Sequence, residues 1–380
     1  MKIFLITRGY PDAKEPQWGC FEKDQAEALA QYGHTVIMLS FDGRFRWRFR
    51  KIGFTFLQRN GVSSINYFAC PSAIVRLLGE GAKDCWEYRQ LRCVYKRAVQ
   101  KYGKPDILYS HYLSYSYLAV QLHQEFHIPV VGIEHWSMLM QPTLPPRIKA
   151  IGHATYPSLN ALIAVSSPLR DAIYRHFQID SNVVGNVLGN EFCYTPIQKT
   201  DSIFRFVTTG SLIYRKGLDL LINALAIAKI DGLWELDIIG NGPEETSLKH
   251  LAEQLGLADK IHFLGRKTKE EIVQIYNRSD IYISASRSET FGVAILEALA
   301  CGLPAISTIC GGPEEFITEK NGLLIPIEDT NALANAIGKM ISTYSTYDHR
   351  AIADDCQARF SPQVIAHQLT NIFQQVISSR

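Results

Sequence analysis

The sequence predicts an α/β chain built as two doubly wound domains, each around its own parallel sheet. Three observations lead there. Short apolar runs of strand length alternate with helical patterns along the 380 residues. Glycine follows strand after strand, and the alternation resets once, around Asn190 to Thr200. Apolar runs without period-two polarity belong to sheets covered on both faces. Glycine at their carboxyl ends marks turns into helices, where such sheets bind ligands. The length suits two domains rather than one.

Taken in order, a strand is predicted over Lys2–Thr7, then a loop with Pro11, Pro16 and Gly19, a helix over Phe21–Tyr32 ended by Gly33, and a strand over Thr35–Ser40. Strands over Asp106–Tyr109 and Pro129–Ile133 follow, with a helix over Tyr115–Glu125 between them. Ala161–Val165 reads as another strand, and Ser166-Ser-Pro-Leu as the start of the next helix. After the reset, Phe204–Thr209 is a strand ending at Gly210, and a helix over Gly217–Ala228 follows a Gly/Lys-rich loop. The strand Glu235–Ile239 runs into Gly240-Asn-Gly-Pro243. Further strands are expected at Lys260–Leu264, Ile281–Ala285 and Ala305–Thr308, with helices at Glu244–Leu255 and Lys269–Arg278. The last helix, Pro362 to Ser379, is amphipathic.

Bulk properties narrow the class. The N-terminal apolar run is too short for a signal peptide, and no stretch reaches bilayer length. Eight cysteines lie scattered without a CxxC pair, which argues against structural zinc and fits a reducing, cytoplasmic setting. Net charge is +2, unevenly placed: residues 1–195 hold 22 Lys/Arg against 15 Asp/Glu, and residues 196–380 hold 17 against 22. The two domains therefore expect different surroundings.

The stretch Ser286 to Pro304 carries the most chemistry. Glu289 lies where a strand gives way to a helix, and Glu297 lies eight residues later, before Gly302 and Pro304 end that helix. At helical rise the carboxylates are roughly 10 Å apart along the axis. Thr290, Phe291 and Gly292 are expected to open the helix with unpaired N–H groups, the seat for a phosphate. A carboxylate at each end and an anion cradle between them suit a nucleoside diphosphate sugar. The same spacing also fits an amphipathic helix with a capping Glu289 and a solvated Glu297, so the surroundings must decide.

Those surroundings are Gly210-Ser-Leu-Ile-Tyr-Arg-Lys-Gly217, Gly240-Asn-Gly-Pro243, Phe263-Leu-Gly265 and Ser288-Glu-Thr-Phe-Gly292 with Glu297, in that order. Together they resemble the nucleotide-sugar half of the retaining glycosyltransferases of family 4. The Gly19 loop, Ser110-His111, Glu134-His135 and Val165-Ser166 are similar to the other half. The resemblance covers nearly the whole chain and implies a GT-B fold, with two Rossmann-like domains facing across a cleft. The implied domains are 1–193 plus 362–380, the returning helix included, and 194–361.

Carried over by position, the resemblance implies that Glu289 contacts the transferred sugar and Glu297 the ribose hydroxyls. Thr290, Phe291 and Gly292 would meet the phosphates by backbone, and Gly19 and Gly210 would let backbone approach the donor. Arg215 and Lys216 would hold the leaving diphosphate, whose charge grows as the glycosidic bond breaks. The chain has no Asp-x-Asp, so this basic pair reads as the substitute for a metal, and no cofactor is expected. Many relatives have arginine where Ser211 stands, and Arg215 is expected to supply that charge. His111 would approach the sugar or orient the acceptor. His135 either does the same or forms a buried pair with Glu134. Arg266 lies near the base or is an exposed arginine. Retention is expected along a front face, the departing phosphate oxygen taking the acceptor's proton.

Arg44-Phe-Arg-Trp-Arg-Phe-Arg-Lys51, meaning Arg44, Phe45, Arg46, Trp47, Arg48, Phe49, Arg50 and Lys51, has the composition of an interfacial anchor. An edge strand with its arginines outward is the competing reading. Nucleic acid is not expected, because no nucleic-acid motif accompanies it. With the basic first half, the segment leads to an expected peripheral contact with the inner face of an anionic membrane. The expected acceptor is a glycan or lipid-linked glycan in surface or capsular polysaccharide assembly. A GT-B epimerase, a phosphorylase and a non-catalytic nucleotide-sugar-binding subunit are the alternatives.

Overall fold

The computed structural model describes residues 1–11, 18–44 and 51–379. They fall into two compact units, Met1–Val187 together with the chain from Pro362 onward, and Leu188–Ser361.

The first unit is built on β1 (Lys2–Ile6), β2 (Thr35–Asp42), β3 (Gly53–Arg59), β4 (Val62–Phe68), β5 (Ile107–His111), β6 (Val130–Glu134), β7 (Ala161–Ala164) and β8 (Asn182–Val183). Their order across the sheet is β3-β4-β2-β1-β5-β6-β7-β8. Only the β3–β4 pair is antiparallel. Helices α1 (Cys20–Gln31), α2 (Ser72–Arg76), α3 (Glu80–Tyr102), α4 (Tyr112–Phe126), α5 (Pro146–Thr155) and α6 (Ser167–Phe177) belong to this unit. Ile3, Phe4, Leu5 and Ile6 are fully buried, as are Ile107, Leu108 and Tyr109, which is why these strands read as unbroken apolar runs. The Ser166 hydroxyl caps α6 by accepting from the Leu169 N–H, and Pro168 occupies its first turn. The closing helix, Pro362–Ser378, buries Leu369 and Phe373. It meets the turn that follows α1 through Tyr32 Oη to His367 Nδ1 at 2.8 Å and His34 Nε2 to Thr370 Oγ1 at 2.8 Å.

The β3–β4 hairpin, β8, α2, α3 and α5 lie outside the sequence expectations. The hairpin turns on Asn60 and Gly61, both at positive φ (48° and 78°), the dipeptide that matches the twist of paired strands. α4 begins at Tyr112 rather than Tyr115. No loop separates it from β5, because Tyr112 itself makes the turn at φ 65°.

The second unit holds β9 (Phe204–Thr209), β10 (Trp234–Ile239), β11 (Ile261–Gly265), β12 (Ile281–Ser284), β13 (Ala305–Thr308) and β14 (Gly322–Ile325). They pair in parallel in the order β11-β10-β9-β12-β13-β14. Helices α7 (Leu218–Ile227), α8 (Glu245–Gln254), α9 (Lys269–Arg278), α10 (Val293–Ala300), α11 (Thr330–Thr343) and α12 (His349–Phe360) complete it. α9 opens with a reciprocal capping box between Thr268 and Glu271. α10 starts at Val293, not at Thr290: Gly292 caps it at φ 93°, a left-handed backbone that cannot continue a helix.

Each sheet reverses direction once. In the first unit the order turns between β1 and β5, and in the second between β9 and β12. The crevice outside the strand carboxyl ends at such a reversal is where open α/β sheets hold ligands.

Candidate functional site

In the second unit the loop after β9 and the loop after β12 meet at the reversal. They form a small concavity whose wall includes Thr209, Gly210, Lys216, Ser286, Glu289 and Gly292. Four of the expected donor-site residues are therefore brought together. Lys216 Nζ donates to Glu289 Oε1 at 2.5 Å, and the Ser286 hydroxyl donates to the same oxygen at 2.8 Å. Arg215 Nη1 stands 3.7 Å from Glu289 Oε2 and donates to the Ser288 carbonyl at 2.9 Å. Burial works against the Glu289 charge, but Lys216, Arg215 and Ser286 outweigh it and hold its pKa below the usual carboxylate value. The pocket thus contains a carboxylate kept ionised beside two cations, at the N-terminal turn of α10, whose first N–H groups have no intrahelical partner.

Backbone packing sets this geometry. A Cβ on Gly240 would lie 1.8 Å from the Gly210 carbonyl oxygen, and one on Gly242 would lie 2.2 Å from that of Leu212. The Gly240–Pro243 loop therefore braces the Gly210 loop from behind. Gly217, at φ 61°, would strike the Ala285 carbonyl at 2.0 Å if it carried a Cβ. Glu289 is fixed by strand-like pairing: its N–H donates to Cys310 O at 3.1 Å, and its carbonyl accepts from Gly312 N–H at 2.9 Å.

The remaining expected residues lie around the pocket rather than in its wall. Phe291 is buried, with its ring against Phe316 and Phe360, so its side chain anchors the loop. Thr290 precedes the cap of α10. Glu297 sits half-buried on α10. Arg266 follows β11 and donates from Nε to Asn241 Oδ1 at 2.7 Å, tying itself to the Gly240 loop.

Sequence reasoning missed Ser286, Cys310 and Arg287. The Arg287 guanidinium is bidentate to Asp219 at 2.9 and 2.8 Å, bonds Glu328 at 2.5 Å and stacks on Tyr214 at 3.8 Å. The Arg287 backbone N–H donates to the Arg215 carbonyl at 2.7 Å, so the residue clamps the basic loop to the glutamate loop. A lone arginine between two serines gives no sequence signal of that.

The reversal in the first unit carries a different cluster. His111 is the last residue of β5 rather than a residue beyond it, and it is wholly buried. Its Nδ1 lies 3.2 Å from His135 Nε2, and the two rings stack at 5.3 Å and 7°. Phe21 stacks on the other ring at 5.8 Å. The expected alternative of a Glu134–His135 pair does not form: Glu134 accepts from the Tyr156 hydroxyl at 3.0 Å instead, since neighbours along a strand point to opposite faces. Burial, aided by Arg8, pulls His111 down to about 3. Burial, aided by His111, does the same to His135. Burial also pushes Glu134 up to about 8. His111 Nε2 has no hydrogen-bond partner among the described residues.

Arg8 is bidentate to the buried Glu22 at 2.6 and 2.9 Å and donates to the Tyr112 hydroxyl at 2.9 Å. That hydrogen bond helps hold Tyr112 in its left-handed turn. Gly19 caps α1 at φ 82°, and a Cβ there would lie 2.0 Å from the Gly9 carbonyl. The glycine is therefore required for the approach of α1 to the loop after β1, whatever else binds there.

Within the basic-aromatic segment, Arg44 pairs with Asp42 through two 3.0 Å bonds and stacks on Trp18 at 3.9 Å. Its guanidinium is therefore engaged within the unit. Lys51 is exposed. Phe45 to Arg50 lie outside the described residues.

Two sheets, the second parallel and the first parallel but for its β3 edge, each with its site at a strand reversal, define an α/β chain of the GT-B fold class. The family model for glycosyl transferases group 1 matches residues 195–353, and that for glycosyltransferase family 4 matches residues 23–186. Between them they take in more than four-fifths of the chain, and the chain belongs to the family-4 glycosyltransferases. It is 35% identical over 150 residues to D-inositol 3-phosphate glycosyltransferase of Mycobacteroides abscessus, a match covering 38% of this chain and 33% of that one. It is 28% identical over 198 residues to a putative colanic acid biosynthesis glycosyltransferase, WcaL, of Escherichia coli, covering 48% of each. These matches thus span about a third and about half of the relatives' lengths. Among solved structures, sucrose-phosphate synthase of Thermosynechococcus elongatus superposes with a TM-score of 0.79 at 21% identity, all of both chains covered.

Proposed function

We propose that the chain is a retaining glycosyltransferase that moves a hexose-type sugar from a nucleoside diphosphate sugar to a glycan acceptor. The observation that carries the reading is the Glu289–Lys216 pair in the second-unit pocket, set against the N-terminal turn of α10. In this reading Arg215, Lys216 and the α10 N-terminus take the diphosphate and offset the charge that grows on it as the bond breaks. Glu289 takes hydroxyls of the transferred sugar, and Glu297 takes those of the ribose. With fixed cations in that place the reaction runs without a metal, and the departing phosphate oxygen accepts the acceptor's proton on the front face.

The acceptor is a lipid-linked glycan and the setting is surface polysaccharide assembly on the cytoplasmic side of a membrane. The relation to a putative colanic acid glycosyltransferase supports that setting. Among the described residues no helix is long and apolar enough to cross a membrane, so contact with lipid would be peripheral.

Thermal-shift titration against UDP-, GDP- and ADP-sugars tests the donor claim. One nucleotide series should raise the melting temperature in proportion to the logarithm of its concentration. No shift with any of them would remove the reading. Donor hydrolysis should proceed equally with and without a chelator; loss of turnover on chelation, restored by a divalent cation, would contradict the metal-free part.

A further inference from the structure

Leu77 and Leu78 are 85% and 80% exposed, and Ile74, one turn earlier, is 65% exposed. No other large apolar side chain described in the first unit is as open. They are displayed by ordered backbone: Leu77 N–H donates to Ile74 O at 3.3 Å, Leu78 N–H to Val75 O at 3.0 Å and Gly79 N–H to Arg76 O at 3.0 Å. Three adjoining apolar side chains held out in this way mark an interaction surface.

The chain around them is strongly basic. Residues 51–104 carry ten Lys/Arg and three Asp/Glu, which is the whole positive surplus of residues 1–195. All three acids are already paired: Glu80 with Arg76 at 2.7 Å, Asp84 with Arg147 at 2.6 Å and Glu87 with Lys83 at 2.9 Å. Arg89, Lys96, Arg97 and Lys101 are exposed on α3. Among the described residues none of the four has a carboxylate partner within ion-pair distance. Steps of three and four residues place Arg89, Lys96 and Arg97 on one side of that helix. At its far end the Lys101 ammonium lies 4.4 Å from the centre of the Phe56 ring on the edge strand β3.

We propose that α2, the Leu77–Leu78 turn and the exposed side of α3 form a docking surface for an anionic lipid bilayer. Ile74, Leu77 and Leu78 enter the interface, and Arg89, Lys96, Arg97 and Lys101 lie against the headgroups. A second copy of the chain is a poor occupant, because the same face on both partners would set like charge against like. The surface does not use Arg44, and it stands apart from the donor pocket, which nucleotide thermal shift reads independently of any lipid.

Vesicle flotation tests it with the full chain. The wild type should float with phosphatidylcholine vesicles containing phosphatidylglycerol and stay in the soluble fraction with phosphatidylcholine alone. Leu77→Asp with Leu78→Asp should weaken partitioning about tenfold or more without changing the melting temperature, because both side chains are already in water. Arg89→Glu with Lys96→Glu should weaken it to a similar extent, and added salt should imitate that loss. Failure of the wild type to float, equal flotation on both lipids, or unchanged flotation of the leucine variant would each overturn the proposal. So would a leucine variant that changes oligomeric state by light scattering, which would assign the surface to a protein contact.

Discussion

Glu289 and His111 occupy equivalent places in the two units, each beside the reversal of a parallel sheet and each buried, yet the chain treats them in opposite ways. Around Glu289 it supplies cations and keeps the charge. Around His111 it supplies rings and a neighbouring positive charge, and removes the charge. The difference separates two kinds of chemistry. A paired carboxylate beside cations is fitted to ligands that carry charge. A neutral imidazole with an unshared nitrogen is fitted to hydroxyls, to which it can donate or from which it can accept.

The largest expected effect falls on the backbone that holds the charged side. Gly240→Ala forces a Cβ into the Gly210 carbonyl and strains a backbone at φ 138°. It should destabilise the second unit by about 3 kcal/mol and abolish the thermal shift given by nucleotide. A melting temperature within a degree or so of wild type would show that the loop yields and that the bracing is not needed.

Next comes the pair itself. Lys216→Ala leaves Glu289 buried with only Arg215 at longer range, and should cost about 3 kcal/mol. Adding Glu289→Gln should recover a large part of that, because the uncompensated charge disappears. A double-mutant cycle in denaturant with no coupling between the two positions would mean that the pair carries no stability. His111→Phe in the first unit should cost less, about 1 kcal/mol, since a single hydrogen bond between neutral rings is lost.

Acidity distinguishes the sides further. His111 and His135 fall in the folded chain from 6.5 to about 3. Their neutrality therefore contributes stability that is present above 6.5 and lost as pH falls toward 3. Glu134 rises from 4.5 to about 8, so its contribution is present below 4.5 and lost as pH climbs through 8. Unfolding midpoints across that range should show a shallower acid limb for His111→Phe and a shallower alkaline limb for Glu134→Gln. Limbs unchanged in both variants would refute the assignment. The smallest stability effect is expected for Arg215→Ala, under about 0.5 kcal/mol, because its ion pair is long and partly exposed.

Much of this was legible in the sequence wherever local rules decide it. β1, β2, β5 to β7 and β9 to β13 announce themselves as apolar runs, and the resemblance carried by the Gly210–Gly217 and Ser288–Gly292 motifs implied that Gly210, Lys216, Glu289 and Gly292 serve one site. The β3–β4 hairpin also carried its signal in Asn60-Gly61, but its strands mix polar and apolar residues and form no apolar run. The start of α10 was misplaced because Gly292 acts as a left-handed cap, which depends on φ and not on residue type alone. Arg287, Cys310 and the stacking of His135 on His111 could not be read, since each rests on contacts between segments far apart in the chain. The role of Gly240 as a brace was hidden for the same reason, its partner being a carbonyl on another loop.

The central claim is that the charged pocket of the second unit holds the donor and that Glu289 serves the transferred sugar rather than the nucleotide. Nucleotide binding and donor hydrolysis measured side by side on Glu289→Ala test it most directly, since neither needs a known acceptor. The account predicts nucleoside diphosphate affinity within a few-fold of wild type and hydrolysis slower by about 10²-fold. Hydrolysis at the wild-type rate with affinity intact would contradict it.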